Sequence, residues 1–125
     1  MIRVLIVDHE PGLATILAEQ LFQAGFGTRS ARSGEEAIEA TNGFVPHIAL
    51  IALAMPGMNG FELARQLESD PALSKCRMVA MTVHDCPEYR EGAKAVAFTR
   101  ILKKPLEAST LGATIVELVE APQAM

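Results

Sequence analysis

The sequence predicts a three-layer α/β sandwich, in which a sheet of five parallel strands lies between two layers of helices. Five short apolar runs alternate with five segments of helical periodicity, a pattern typical of repeated β–α units. Right-handed crossovers between parallel strands place the helices against the sheet. The third run, at residues 48–53, has no polar side chain, which indicates a central strand covered on both faces.

Composition limits the class of protein. The chain has 125 residues, a length typical of one domain with one core. With 50% hydrophobic and 21% charged residues, it is expected to be globular and not disordered. The formal net charge of −4 argues against nucleic acid as a direct partner, because phosphate binding needs a basic face. We assign residues 1–120 to the domain and residues 121–125 to a tail or the start of a linker.

The same features predict a cytoplasmic protein without a membrane partner. No apolar run is long enough to span a bilayer. Asp8 and Glu10 interrupt the first apolar run, and no small-residue cleavage site follows it. Cys76 and Cys86 flank a predicted strand and should lie on the order of 20 Å apart. That separation is too large for a disulfide, so we expect two free thiols in a reducing compartment.

The first two β–α units differ in how clearly they are marked. In helix one, Leu13, Leu17 and Leu21 repeat every four residues and form an apolar stripe, and Gly25 ends the helix. Helix two begins with a serine, a glycine and two acids, a typical start signal. The predicted limits are strand one at 2–7, helix one at 12–24, strand two at 27–31 and helix two at 33–41.

The remaining units follow the central strand. Its loop contains Met55-Pro56-Gly57, which turns the chain, and Asn59-Gly60, which starts helix three. The fourth helix has the least regular apolar pattern. The predicted limits are strand three at 48–53, helix three at 61–68, strand four at 78–82, helix four at 87–95, strand five at 97–102 and helix five at 107–120.

Chemically active side chains follow several of these strands. The loops after strands one, three, four and five share one end of a parallel sheet, where active sites of this class lie. These positions are Asp8, His9, Ala52, Thr82 and Lys104. A carboxylate, a hydroxyl and an ammonium group would therefore meet around Ala52, whose methyl group does no chemistry.

Together these motifs resemble the receiver domain of bacterial response regulators. The matching motifs are Asp8 with Glu10-Pro11 after strand one, Met55-Pro56-Gly57-Met58-Asn59-Gly60 after strand three, Thr82 after strand four and Lys104-Pro105 after strand five. The resemblance covers nearly the whole chain. It implies the flavodoxin-like strand order 2-1-3-4-5 and a role in two-component or phosphorelay signalling.

The family's reaction explains which residues it needs. A histidine kinase passes a phosphoryl group to an aspartate at the end of strand three. Mg²⁺, bound by that aspartate and by acids after strand one, offsets the charge. A lysine after strand five and a Thr or Ser after strand four contact the phosphoryl oxygens, and an aromatic residue on strand five follows the movement. By resemblance, Thr82 and Lys104 hold the phosphate-contact positions, and Ile101 holds the switch position.

The sequence departs from the family pattern where the reaction takes place. Ala52 occupies the phosphoacceptor position, and His9 replaces the second acid. Asp8 alone is at most a weak Mg²⁺ site, because that ion prefers several hard oxygens. We therefore predict a pseudo-receiver that is not an enzyme, uses no cofactor and acts by protein–protein interaction. Asp8 and Lys104 are expected to pair across the vacant pocket, partly exposed to solvent.

Other interpretations stay open at this point. Asp8 or His9 can serve as a substitute phosphoacceptor. Alternatively, the chain is an ordinary phosphorylated receiver in which Ala52 is an engineered change, or the regulatory domain of a longer response regulator. The intact loop after strand three, Thr82 and Lys104 favour an engineered change, whereas His9, Ile101 and Arg100 oppose it. An unrelated flavodoxin-like enzyme or cofactor binder lacks support, because no glycine-rich phosphate loop is present.

The expected partners are a histidine kinase, a phosphotransferase or an output domain. In the family, helix one and its neighbouring loops contact the kinase or phosphotransferase. Ala18 and Phe22 are predicted to face outward from helix one and to form a docking surface, unless Phe22 folds back against the helix edge. A homodimer through helix four, strand five and helix five is a second option. A basic patch is predicted as a solvated face or a site for an acidic partner; its residues are Arg90, Lys94, Arg100 and Lys103.

Overall fold

The computed structural model describes residues 1–83 and 98–120. Within these residues, five parallel strands form one sheet in the order β2-β1-β3-β4-β5, which confirms the predicted topology. The strands are β1 (Arg3–Val7), β2 (Gly27–Ala31), β3 (Ile48–Ala52), β4 (Arg77–Thr82) and β5 (Arg100–Lys103). The helices are α1 (Leu13–Gln23), α2 (Gly34–Ala40), α3 (Gly60–Glu68) and the C-terminal helix (Ala108–Glu120), with a 3-10 turn at Pro71–Leu73.

The predicted and observed limits differ mainly at two places. β5 begins at Arg100, after the predicted start at residue 97, because the register with β4 first pairs Arg100 with Val79. The Thr99 N–H already donates to the Met78 carbonyl at 2.8 Å. The 3-10 turn was not predicted; the Asp70 side chain caps it by accepting a hydrogen bond from the Ala72 N–H at 2.9 Å. The predicted fourth helix lies outside the described residues, as do His84 and Cys86. Among the described helices, none has the length and apolar character needed to cross a membrane.

β3 is the central strand, and all five of its residues are buried. Its backbone pairs with β1 on one side and β4 on the other, so its polar groups are satisfied within the sheet. Leu50 and Ile51 are among the largest fully buried side chains. Such a strand needs a helical layer on each face of the sheet.

The buried face of α1 is rotated from the predicted one. Leu13 is 36% exposed, whereas Ala18, predicted to face outward, is only 7% exposed. A repeat of four residues advances by about 40° around a helix, so Leu13, two repeats before Leu21, lies at the edge of the buried face. Leu21 itself is fully buried. The small side chains of Ala14 and Ala18 instead allow the helix to approach the sheet closely.

The loop between β3 and α3 is held by its own backbone and side chains. Asn59 accepts a hydrogen bond from the Glu62 N–H at 2.9 Å, and the Glu62 carboxylate accepts one from the Asn59 N–H at 3.2 Å. This reciprocal capping box fixes the start of α3. The Gly60 N–H donates to the Leu53 carbonyl, and a Cβ at Gly60 would lie only 2.8 Å from the Leu53 Cα. Glycine is therefore required where α3 meets the end of β3.

The loop is also anchored to α2. The side chain of Met58 packs directly on Gly34, the first residue of α2, and a Cβ at Gly34 would overlap the Met58 thioether. Since Gly34 is buried, this contact lies inside the molecule. The loop is thus fixed on both sides by packing and capping.

We expect His47 to make stability depend on pH. Its Nδ1 accepts a hydrogen bond from the Arg3 N–H at 2.9 Å, a bond that the protonated ring cannot accept. Burial, and then the positive charge of Arg3, lowers the pKa of His47 below its usual 6.5. As the pH falls below about 6.5, the unfolded chain binds the proton first, so the free energy of unfolding should decrease until the folded-state pKa is passed.

The test is urea unfolding of the unaltered chain and of His47→Gln at about pH 7.5 and about pH 5.5, which bracket this window. The glutamine carbonyl can accept the Arg3 N–H but does not titrate. We expect a smaller loss of stability at low pH in the variant. Equal losses in both proteins would exclude His47 as the source.

Candidate functional site

Four of the predicted site residues meet at the carboxyl end of the sheet. Asp8 follows β1, Ala52 ends β3, Thr82 ends β4 and Lys104 follows β5. The backbone N–H of Lys104 donates to the Thr82 carbonyl at 2.8 Å, which extends the β4–β5 ladder into this region. The strand ladders therefore place all four residues at the same end of the sheet, and Asp8 and Lys104 line a pocket there.

Asp8 and Lys104 form the ion pair that the sequence predicted. Lys104 Nζ lies 2.5 Å from Asp8 Oδ2 and 3.7 Å from Glu10 Oε1. The second carboxylate oxygen, Asp8 Oδ1, accepts a hydrogen bond from the Glu10 N–H at 3.1 Å. Both oxygens of Asp8 therefore have partners within the protein.

The sequence predicted a partly exposed pair, and the pair is part-buried, with the carboxylate more deeply buried than the ammonium. Asp8 is 1% exposed and Lys104 is 12% exposed. The reason lies in the sheet: the Asp8 N–H still donates to the Ala31 carbonyl of β2, so the carboxylate begins inside the strand layer. A pair so buried interacts more strongly than a surface pair, although its desolvation is also costly.

The remaining predicted positions at this end of the sheet offer little further chemistry. Ala52 is 1% exposed and presents only its methyl group. His9 is exposed, and its Nδ1 lies 3.9 Å from Asp8 Oδ1, a weak contact. Within residues 1–83 and 98–120, no group of three His, Cys, Asp or Glu side chains is placed to hold a metal ion.

The residues that connect the end of β4 to β5 also differ from the family pattern, since Ile101 holds the position of the switch aromatic. Thr82 is buried, and Ile101, half-buried, lies opposite Ala80 in the β4–β5 register. Beside them, the rings of Phe61 and Phe98 stack edge to face, with centroids 6.2 Å apart. This contact joins α3 to the segment before β5. Sequence reasoning did not predict this contact, because nothing in the spacing brings Phe61 and Phe98 together.

Helix α1 exposes apolar residues on two separate flanks. Phe22 is exposed as predicted, but Ala18 is buried, so the predicted docking surface loses one of its two residues. On the other flank, Leu13 and Ile16 line a groove of about 410 Å³ between α1 and the segment after β5. Sequence reasoning missed Ile16. The available signal was the scarcity of charge along α1, where Glu19 is the one charged residue.

Of the two basic-patch residues that the structure describes, Arg100 forms a surface ion pair and Lys103 is exposed. Arg100 Nη2 lies 3.6 Å from Glu117 Oε1, and both side chains are exposed; Arg90 and Lys94 lie outside the described residues. Surface pairs of this kind contribute little to stability. Cys76 is free, and burial raises the pKa of its thiol to about 12, which keeps it protonated and unreactive.

The comparisons with known proteins agree on one family. The model of the response regulator receiver domain matches residues 4–116. Protein PilH of Pseudomonas aeruginosa is 30% identical over 115 residues, which cover 92% of this chain and 95% of PilH. The DNA-binding response regulator MtrA of Mycobacterium tuberculosis is 34% identical over 107 residues, which cover 84% of this chain but only 46% of MtrA.

Solved structures agree with the fold. The chemotaxis protein CheY4 of Vibrio cholerae superposes with a TM-score of 0.87 at 26% identity, covering 94% of this chain and 98% of CheY4. A CheY-like receiver domain protein from Methanospirillum hungatei superposes with a TM-score of 0.86, covering 96% and 94% of the two chains. At 19% identity, the second likeness concerns the fold alone.

Removing the buried ammonium is expected to destabilise the protein. Lys104→Met keeps the stem but leaves the Asp8 carboxylate buried without its cation, so the free energy of unfolding should fall by roughly 3 kcal/mol. Lys103→Met is the matched control, because the neighbouring Lys103 side chain is exposed. The measurement is urea unfolding of both variants.

A second change isolates the pair itself. Adding Asp8→Asn to Lys104→Met removes the orphaned charge and should restore part of the lost stability, giving a coupling free energy from the double-mutant cycle. If Lys104→Met were no less stable than Lys103→Met, the ion pair would have no structural role.

Proposed function

The chain belongs to the response regulator receiver domain family, and we propose that within it this protein is a pseudo-receiver that has kept the fold and lost phosphotransfer at strand three. The observation that carries this proposal is Ala52, buried at the end of β3 with no nucleophilic atom. It acts as a cytoplasmic signalling module in a two-component or phosphorelay pathway. Its output is protein–protein interaction, and it is not an enzyme.

The occupied carboxylate of Asp8 supports the absence of magnesium chemistry. A magnesium ion would have to displace the Lys104 ammonium from Asp8 Oδ2, and the Glu10 N–H occupies Oδ1. With His9 in place of a second acid, few hard oxygens remain to compensate for that loss. We therefore propose that Mg²⁺ binds weakly or not at all and that Lys104 supplies the positive charge in this pocket.

The partner is a protein of the same pathway, namely a histidine kinase, a phosphotransferase or an output domain. A second candidate function, the regulatory domain of a longer response regulator, is favoured by the match to MtrA, of which this chain covers only 46%. The match to PilH, of which it covers 95%, favours a receiver domain without an output domain. The two assignments differ in whether an output domain is attached to the receiver domain, and they share the same receiver chemistry. Both use a receiver fold to contact another domain.

The alternative of an ordinary receiver with an engineered Ala52 makes a different prediction. In that case, one substitution separates the chain from full activity. In our proposal, His9 and Ile101 are further losses, because they remove the second acid and the switch aromatic. Substitutions at position 52 therefore test both the pseudo-receiver proposal and the engineered-receiver alternative.

The unaltered chain is expected to incorporate no phosphoryl group from acetyl phosphate with Mg²⁺, because Ala52 has no atom that can accept it. Phosphate-affinity electrophoresis and intact mass spectrometry measure this directly. Phosphorylation of the unaltered chain, for example on Asp8 or His9, would contradict the proposal.

Two variants complete this experiment. Ala52→Asp restores a nucleophile, and Ala52→Asn is its matched control with the same shape and no carboxylate. Phosphorylation of Ala52→Asp alone would indicate a recently lost or engineered site. No reaction in either variant would indicate that the changes at His9 and Ile101 have also closed the route.

A further inference from the structure

The chain has two asparagines, and a glycine follows each of them. The two pairs are Asn42-Gly43 and Asn59-Gly60. In such a pair the glycine nitrogen can attack the side-chain amide of the asparagine, because glycine has no side chain that shields its nitrogen. Whether the attack takes place in a folded protein depends on how the two reacting groups are held. The structure holds them differently in the two pairs.

The pair Asn59-Gly60 is protected by its place at the start of α3. The Asn59 side-chain oxygen accepts a hydrogen bond from the Glu62 N–H at 2.9 Å. The Gly60 N–H donates to the Leu53 carbonyl at 3.0 Å, and Gly60 is buried. Both reacting groups are therefore engaged, and the Asn59 side chain cannot turn towards the Gly60 nitrogen without losing the helix cap.

The pair Asn42-Gly43 has no such protection. It lies in the turn after α2, and both residues are exposed. Within residues 1–83 and 98–120, neither the Asn42 side chain nor the Gly43 N–H makes a hydrogen bond. A Cβ placed on Gly43 would have no neighbour within 4 Å. There is therefore space for the two groups to react and for water to reach them.

The geometry of this turn requires the glycine. Gly43 has a φ of +84°, a left-handed conformation that favours glycine. The Asn42 N–H donates to the Glu39 carbonyl at 3.0 Å, and the Phe44 N–H donates to the Thr41 carbonyl at 3.4 Å. These bonds hold the main chain on either side of the pair but leave the Gly43 nitrogen unbonded. A side chain at position 43 would shield that nitrogen and would strain the turn.

We propose that Asn42 is a site of spontaneous deamidation in the folded protein and that Asn59 is not. The Gly43 nitrogen bonds to Asn42 Cγ, the bond from Cγ to the side-chain nitrogen breaks, and ammonia leaves with the Gly43 amide proton. Water then opens the succinimide ring. Opening at Cγ gives aspartate, and opening at the main-chain carbonyl gives isoaspartate, whose backbone runs through Cβ. This inference goes beyond the proposed function and does not depend on it.

Either product adds a carboxylate at the carboxyl end of α2. That end of a helix carries negative partial charge. The helix already contains three acids, and its last turn has no basic residue. Isoaspartate also lengthens the main chain by one carbon within the turn. The modified protein therefore differs from the original in net charge and in the backbone geometry of this turn.

The test follows both asparagines in the purified, unaltered chain as it ages at mildly alkaline pH. Peptide mapping by mass spectrometry gives the extent of reaction at each site, and electron-transfer fragmentation distinguishes isoaspartate from aspartate. We expect Asn42 to react at least about tenfold faster than Asn59, because hydrogen bonds must first break at Asn59. The rate at Asn42 should fall at lower pH, since the Gly43 nitrogen must lose its proton to attack.

Two controls separate the effect of the fold from that of the sequence. In urea that unfolds the chain, the two asparagines should react at similar rates, because the contacts that protect Asn59 are lost. The second control is Asn42→Gln, whose longer side chain would have to close a larger ring. Isoelectric focusing should show a shift towards acidic pH on ageing of the unaltered chain and none in this variant. Thermal unfolding checks that the variant stays folded.

Two results would overturn the inference. The first is an equal extent of reaction at Asn42 and Asn59 in the folded chain. The second is reaction of Asn42 in urea but not in the folded chain, because the turn would then protect it. The proposed function fails by a separate readout, namely phosphorylation of the unaltered chain, so the two failures are distinguishable.

Discussion

Burial of β3 on both faces is the constraint on which the rest of the structure depends. A strand with no polar side chain must be paired on both edges and covered on both sides. β1 and β4 provide the edges, and the helices provide the cover. Once the strands run parallel, their carboxyl ends meet, and the residues after β1, β4 and β5 surround the end of β3. The site is thus a consequence of how the core is built.

Within that site, the Asp8–Lys104 pair organises the charges. The two residues are 96 positions apart in the chain, and they join the ends of β1 and β5. Breaking such a buried pair is costly, although its net contribution to stability is small. The pair therefore fixes the positions of the two side chains more than it adds stability: Lys104 faces inward, and both oxygens of Asp8 have partners. In the function proposed above, a tethered ammonium takes the place that an ion from solution takes in the family's reaction.

Local sequence patterns predicted the sheet well and the surfaces less well. Some signals are carried by residues adjacent in the chain, and the sequence therefore predicts them: the apolar run of β3, the turn after it and the start of α3 at Asn59. The rotation of α1 depends on how closely Ala14 and Ala18 let the helix approach the sheet, which periodicity alone does not reveal. The burial of Lys104 and the packing of Phe61 on Phe98 depend on the sheet order and on neighbours distant in sequence. That order came from the resemblance.

The packing of Met58 on Gly34 has a consequence for how family signatures are interpreted. This contact and the Asn59–Glu62 capping box hold the loop after β3 without any phosphate. The motif therefore has a structural role in this chain that does not depend on the reaction. A match to the loop motif indicates common ancestry and a stable loop; the motif is Met55-Pro56-Gly57-Met58-Asn59-Gly60. Competence for phosphotransfer depends instead on the side chain at position 52, which the six loop residues do not determine.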